Sequence, residues 1–268
     1  MGAVFYDLGQ GVYDFFRSPL NVEICFSMCV DIGYKSMLGP DGLPRYIPGI
    51  KINREFVEAD RERPHIAAHS NPRCWVLVER GGAICVEDFG WGIVPGFKTP
   101  SPLYNARSEK LVDEHSFWYT KKNNRCLLIA DGVYEHQQRS GIKKKTPYYI
   151  KLKEGAPLLI PAIYSNEDRR FSILTRAANG VFKEIHNSGP NKHRMPLLCQ
   201  VEQALVWIQK ELEEGALISF INYLLPDQLL DYHTVYSIRG NRLRPDGLKE
   251  NEFFNWNKAG RAEQSSLF

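Results

Sequence analysis

From about residue 74 the chain alternates short apolar runs with turn signals. "CWVLVER", "GAICVEDFGWGIV", "RCLLIADGVYEH", "TPYYIKL", "PLLIPAIYS" and "RFSILTRAA" are rich in β-branched and aromatic residues. Gly81-Gly82, "RSGIKKK" and "SNEDRR" punctuate them, which predicts a succession of strands joined by tight loops. The runs follow one another without regular helices between them, and that argues against a doubly wound parallel sheet. The expected class is therefore α+β, a β-rich fold with an antiparallel, barrel-like sheet core and flanking helices. One helix stands out in "VEQALVWIQKELEEG": Val201, Leu205, Ile208 and Leu212 recur at helical spacing, with Gly215 as the expected stop.

Both ends depart from this pattern. Residues 1–27 are aromatic-rich and close near Pro19, and they are expected to be an extension that is untranslated or removed. They do not form a secretory signal, because the first basic residue is Arg17, and Asp7 and Asp14 interrupt the apolar positions. Residues 28–240 are expected to form the domain, and 241–268 a polar, peripheral tail apart from "FFNW".

Composition narrows the class further. The chain has 268 residues, 43% of them hydrophobic, enough to build a core without disulfide staples. With that size and no secretory signal, a cytoplasmic protein with reduced thiols is expected, and its six cysteines form no CxxC pair, which argues against a zinc ribbon or a thioredoxin-like pair. No apolar run approaches the ~18 residues of a membrane span. The net charge of +3 is too small for bulk charge to imply nucleic acid, so any such binding must come from a local basic groove.

Three segments carry candidate chemistry. In "LYNARSEKL", Asn105 and Arg107 share a face if the segment is extended; taken alone, the segment reads better as a helix cap. In "RCLLIADGVYEH", Glu135 closes an apolar run, where desolvation would suit a carboxyl to proton transfer. The competing reading makes Asp131-Gly132 a hairpin turn with Glu135 exposed beyond it. In "IHNSGPNKHRMP", His186 and His193 are both candidate proton carriers. His65 and His69 have metal-pair spacing without the glutamate of HExxH, and "GQGVYD" lacks the third glycine of a dinucleotide loop. No metal or organic cofactor is expected.

Taken in order, Met28-Cys29, "WGIVPGF" (91–97), "NARSE" (105–109), "ADGVYEH" (130–136) and "IHNSGPNKHRMP" (185–196) resemble the SRAP family, the SOS-response-associated peptidases that process abasic sites in DNA. The resemblance spans roughly residues 28–240. It implies Cys29 as nucleophile, Asn105 as its positioning partner, Glu135 as the acid–base carboxylate and His186 as the histidine. His186 is preferred to His193 because it follows Asn179 by seven residues, while an insertion separates it from Arg194. Arg107 and Arg194 would contact phosphates, and Trp91 would stack on a base or pack in the core. The implied partner is single-stranded DNA carrying abasic sites, with no membrane and no obligate protein partner, and the resemblance implies a cytoplasmic protein that is nucleoid-associated when bound to DNA.

The implied chemistry is a thiazolidine crosslink between an N-terminal Cys29, freed of residues 1–28, and the ring-opened sugar, as part of the DNA damage response. Crosslinking or lyase activity and self-processing both belong to that implication. The alternative is a cysteine peptidase using Cys29, His186 and Asn105. Departures from the family pattern are Val30 and Asp31 after the cysteine, Phe97 at the second tryptophan, and His136 after the glutamate.

Overall fold

A computed structural model of the chain describes residues 29–32, 65–96, 101–142, 144–236 and 244–256. The 1–27 segment, Met28 and Phe97 lie outside the described residues. Among the described residues, eleven strands and three α-helices form one sheet-rich α+β unit. The strands are β1 (Cys29–Ile32), β2 (His65–Ala67), β3 (Arg73–Arg80), β4 (Ala83–Trp91), β5 (Asn105–Arg107) and β6 (Arg125–Gln137). They continue with β7 (Thr146–Leu152), β8 (Leu158–Ser165), β9 (Arg170–Ala177), β10 (Arg194–Pro196) and β11 (Leu230–Thr234). The helices are α1 (Gly180–Ile185), α2 (Val201–Trp207) and α3 (Glu214–Ile221), and none is long and apolar enough to cross a membrane.

The β3–β4 hairpin follows directly from sequence. Gly81 and Gly82 both adopt positive φ, 59° and 85°, as a two-residue turn matched to strand twist requires. Strand β6 is the spine, pairing with β1, β3, β7 and β8. Strand β8, held between β6 and β9, is buried at every position and so shows no alternation. The sheet is mixed rather than antiparallel throughout, because β4 and β5 both join β9 in parallel. Neither is a hairpin partner of β9 in sequence, so local patterning could not set their direction.

Three further expectations change. Asp131-Gly132 is not a turn: β6 runs through it for 13 residues. Opposite it the register slips, Asp31 pairing with Gly132 and Ile32 with Ala130, so Asp131 is bulged. Gly132 is demanded by Tyr149, whose ring would lie 2.3 Å from an added Cβ.

The long helix expected from residue 201 stops at Trp207 and resumes as α3, with Gly215 inside α3 rather than ending a helix. The cause is remote. The buried Arg125 guanidinium donates to the carbonyls of Trp207 (2.9 Å), Gln209 (2.5 Å) and Lys210 (3.0 Å), drawing the chain out of helical pairing. The Trp207 indole meanwhile donates to the Cys126 carbonyl at 2.9 Å.

Residues 244–256 of the expected tail are docked rather than peripheral. Buried Arg244 donates to the carbonyls of Lys249, Glu252 and Phe253, while Phe254 N–H donates to Thr234 and the Trp256 indole to Val235.

Candidate active site

The far end of β6 gathers the candidate chemistry. Cys29 pairs through its backbone with Tyr134, the residue before Glu135. The next position, Glu135, pairs with Tyr148 of β7. The Glu135 side chain is only 12% exposed, and its Oε1 lies 3.9 Å from Nδ1 of His186. Burial pushes its carboxyl above the usual carboxylate range, against the opposing pull of His186, a backbone hydrogen bond and Lys145. The exposed-glutamate reading therefore fails, because β6 continues straight past Asp131-Gly132 instead of turning back.

His186 closes α1, its N–H donating to the Phe182 carbonyl. Its Nδ1 lies 2.7 Å from the Arg194 carbonyl, which can only accept, so Nδ1 carries a proton. His193 faces elsewhere: it is exposed, sits at φ 62°, and its ring lies against the Lys183 carbonyl. Of the two histidines, His186 is the one brought to Glu135.

Asn105 lies on β5 beside β9, not at a helix cap. The cap position of the following turn is Arg107, which makes no side-chain cap. The Asn105 Oδ1 is buried and has no hydrogen-bond partner among the described residues. An unpartnered buried amide oxygen costs stability, and this one is left able to accept a hydrogen bond from a ligand. Arg107, two residues on, is exposed.

Arg194, expected at a phosphate, is engaged within the protein. Its guanidinium grips both oxygens of Glu109, at 2.7 and 3.1 Å, and donates to the Thr175 carbonyl at 2.8 Å. Burial works to raise the Glu109 carboxyl, but hydrogen bonding to Arg194 prevails and holds it below its ordinary value. Glu109 is thus the partner of Arg194. The backbone carbonyl of the same arginine orients His186.

Trp91 is a correction. It is 0% exposed, stacks on Phe171 at 5.5 Å, and donates its indole N–H to the Tyr104 carbonyl. It offers no face to a base. Gly92 beside it, at φ 99°, would clash with Pro102 and Tyr104 if it carried a Cβ, so the Trp-Gly pair belongs to the core. His136 is half-buried on β6 opposite Pro147. Two residues escaped sequence reading: Lys145, which lay inside a segment read only as a turn, and Asn187, inside the insertion.

Comparison with known proteins gives this arrangement a lineage. The model of the family described as SOS response associated peptidase (SRAP) matches residues 48–238, a range that leaves Cys29 outside it. The chain is 29% identical over 174 residues to the abasic site processing protein YedK of Escherichia coli, covering 62% of this chain and 74% of that protein. It is 27% identical over 129 residues to the abasic site processing protein YoaM of Bacillus subtilis, covering 44% of this chain and 54% of that one. Among solved structures, a Bacteroides thetaiotaomicron protein shares the fold with a TM-score of 0.59 at 22% identity, covering 76% of this chain and 89% of its own. With the family model spanning most of the domain, the chain belongs to the SOS response associated peptidase family.

Proposed function

We propose that the protein processes abasic sites in single-stranded DNA by becoming covalently attached to them through Cys29. The observation that carries this is the convergence at the end of β6, where the Cys29 backbone pairs beside Glu135 and Glu135 lies 3.9 Å from His186. The relatives named as abasic site processing proteins supply the substrate.

An opened abasic sugar presents an aldehyde at C1′. The α-amine of an N-terminal cysteine adds to that carbon and loses water to give an imine. The thiol then adds to the imine carbon and closes a thiazolidine, so the whole reaction releases one water. An α-amine titrates near ~7.7–8.0, so a useful fraction is nucleophilic at neutral pH. An internal cysteine has an amide nitrogen instead and cannot form the imine, so residues 1–28 must be absent from the active protein.

Glu135, its carboxyl raised by burial, moves protons during ring opening and dehydration. His186 serves the sugar hydroxyl, and the unpartnered Asn105 Oδ1 holds the amine or the sugar in line. The setting is the DNA damage response, in the cytoplasm.

The test is an intact mass of protein expressed from the full reading frame, before and after incubation with a single-stranded oligonucleotide carrying one abasic site. A chain beginning at Cys29 that gains the oligonucleotide mass less one water is the expected result. A chain that keeps residues 1–28 and forms no adduct would sink the proposal and favour a peptidase, which works with an internal cysteine.

A further inference from the structure

The insertion that separates His186 from Arg194 is built into the site rather than looped away from it. Asn187 clamps the backbone of Gln138 reciprocally: its Oδ1 accepts from the Gln138 N–H at 2.9 Å, and its Nδ2 donates to the Gln138 carbonyl at 3.0 Å. Gln137 adds a bond from its Nε2 to the Glu184 carbonyl at 3.2 Å. The insertion and the β6–β7 loop are thereby latched at the edge of the site.

Where they meet, Gly189 turns at φ 92°, and Lys145 Nζ lies 3.9 Å from where a Gly189 Cβ would stand. The Lys145 ammonium is also near enough to Glu135 to favour its carboxylate. These two segments are unusually basic for a chain of net charge +3. Residues 138–145 and 183–193 hold Arg139, Lys143, Lys144, Lys145, Lys183 and Lys192 against Glu184 alone. Lys144, Lys183 and Lys192 are exposed, and Lys145 is half-buried. Arg139 is braced by the Tyr148 hydroxyl at 2.8 Å. Such a concentration of one sign beside a reacting centre attracts a polyanion.

We propose that the latched segments form a cationic lip for the backbone of single-stranded DNA, with Lys145 gripping the phosphate next to the reacting sugar. The proposal rests on the reading of function above. A lysine suits the task, since its ammonium is a compact charge with three donors on a flexible stem.

The experiment measures binding of undamaged single-stranded DNA by fluorescence anisotropy across a salt series, for wild type, Lys145→Met, Lys145→Arg, Asn187→Ala and Lys153→Met. Losing one single-strand phosphate contact reduces the salt slope by about 0.7. Losing a charge-assisted bond weakens binding roughly tenfold at low salt. Lys145→Met is expected to show both effects and Lys145→Arg to restore them. Asn187→Ala, with its melting temperature checked, is expected to lose at least as much, because it releases the insertion. Lys153 stands at the opposite end of β7 and its variant should match wild type.

A Lys145→Met variant with an unchanged salt slope, even with an altered pH profile of crosslinking, would overturn the lip and leave Lys145 as a partner of Glu135 only. A wild-type protein that neither binds nor crosslinks single-stranded DNA would overturn the functional reading beneath it. Binding and crosslinking by wild type with no effect in the variants overturns the lip alone.

Discussion

Gly132→Ala tests whether the strand beside the site is held open for one ring. An alanine Cβ would stand 2.3 Å from Cζ and 2.5 Å from both Cε2 and the hydroxyl of Tyr149. Ordinary contact begins at 3.4 Å, so the ring must retreat by about 1.1 Å, the difference between 3.4 and 2.3. It has little room to do so. Tyr149 is 3% exposed, packed at 4.8 Å on Tyr134 and at 5.9 Å on His233. Overpacking of this kind costs about 1–3 kcal/mol. In a domain of this size each kcal/mol lowers the melting temperature by roughly 2–4 °C, giving a fall of roughly 2–12 °C. Gly215→Ala is the control, since it lies in α3 with nothing within 4 Å of its Cβ and should be neutral or slightly stabilising. Calorimetry on a double-mutant cycle with Tyr149→Leu isolates the cause. With the phenol tip removed, the cost of Gly132→Ala should shrink by about 1 kcal/mol or more, as expected for side chains in direct contact. A Gly132→Ala melting temperature within about 1 °C of wild type, well inside the shift expected from overpacking, would refute the reasoning. So would a full loss that persists in the Tyr149→Leu background. The consequence reaches function, because Gly132 pairs with Asp31 of the strand that carries Cys29.

Two further outcomes are expected. Glu135 has its carboxyl raised on folding, so between the ordinary value of about 4.3 and its raised value the folded state holds more protons than the unfolded one. Stability from this group is thus full below the ordinary value and is lost as pH rises through the raised one. Glu135→Gln should therefore be more stable than wild type at pH about 7.5, with the difference narrowing near pH about 4. Urea midpoints at the two pH values measure it, and an equal difference at both would contradict it. Asn105→Ala removes an amide whose oxygen has no partner among the described residues, so the melting temperature should hold or rise. Its crosslinking rate should fall by about 100-fold or more if the amide acts on developing charge. An equal loss of stability and rate would make Asn105 a structural residue.

What sequence revealed and what it hid divides by range of interaction. The β3–β4 hairpin was legible because Gly81-Gly82 settles it locally. The order of Asn105, Glu135 and His186 was legible as motifs, and backbone pairing then brought Cys29 beside Glu135. The break after Trp207 was hidden, because the guanidinium that causes it comes from Arg125 on β6, over 80 residues earlier. Asp131-Gly132 looked like a turn because the reason for its glycine, the ring of Tyr149, lies on the next strand. The role of Trp91 was open in sequence because indole suits both a stacking face and a core. Only its contacts with Phe171 and the Tyr104 carbonyl decide.

Arg194 shows why a phosphate contact must be argued from salt dependence rather than from lost activity. Its guanidinium spans Glu109 and Thr175, joining the β5 turn to β9, while its carbonyl fixes the proton on His186 Nδ1. Replacing the side chain would free Glu109 and loosen β10 against β9, and the His186 ring would shift with the β10 backbone. Crosslinking would then fall through the orientation of His186, whether or not the guanidinium ever meets DNA. Lys145 is placed differently: its ammonium lies near Gly189 and Glu135, and the residue is not part of the β9–β10 register. If Lys145 grips a phosphate, its removal lowers the salt slope even where stability and the pairing of β10 are kept, which is the property that separates a gripping residue from a positioning one.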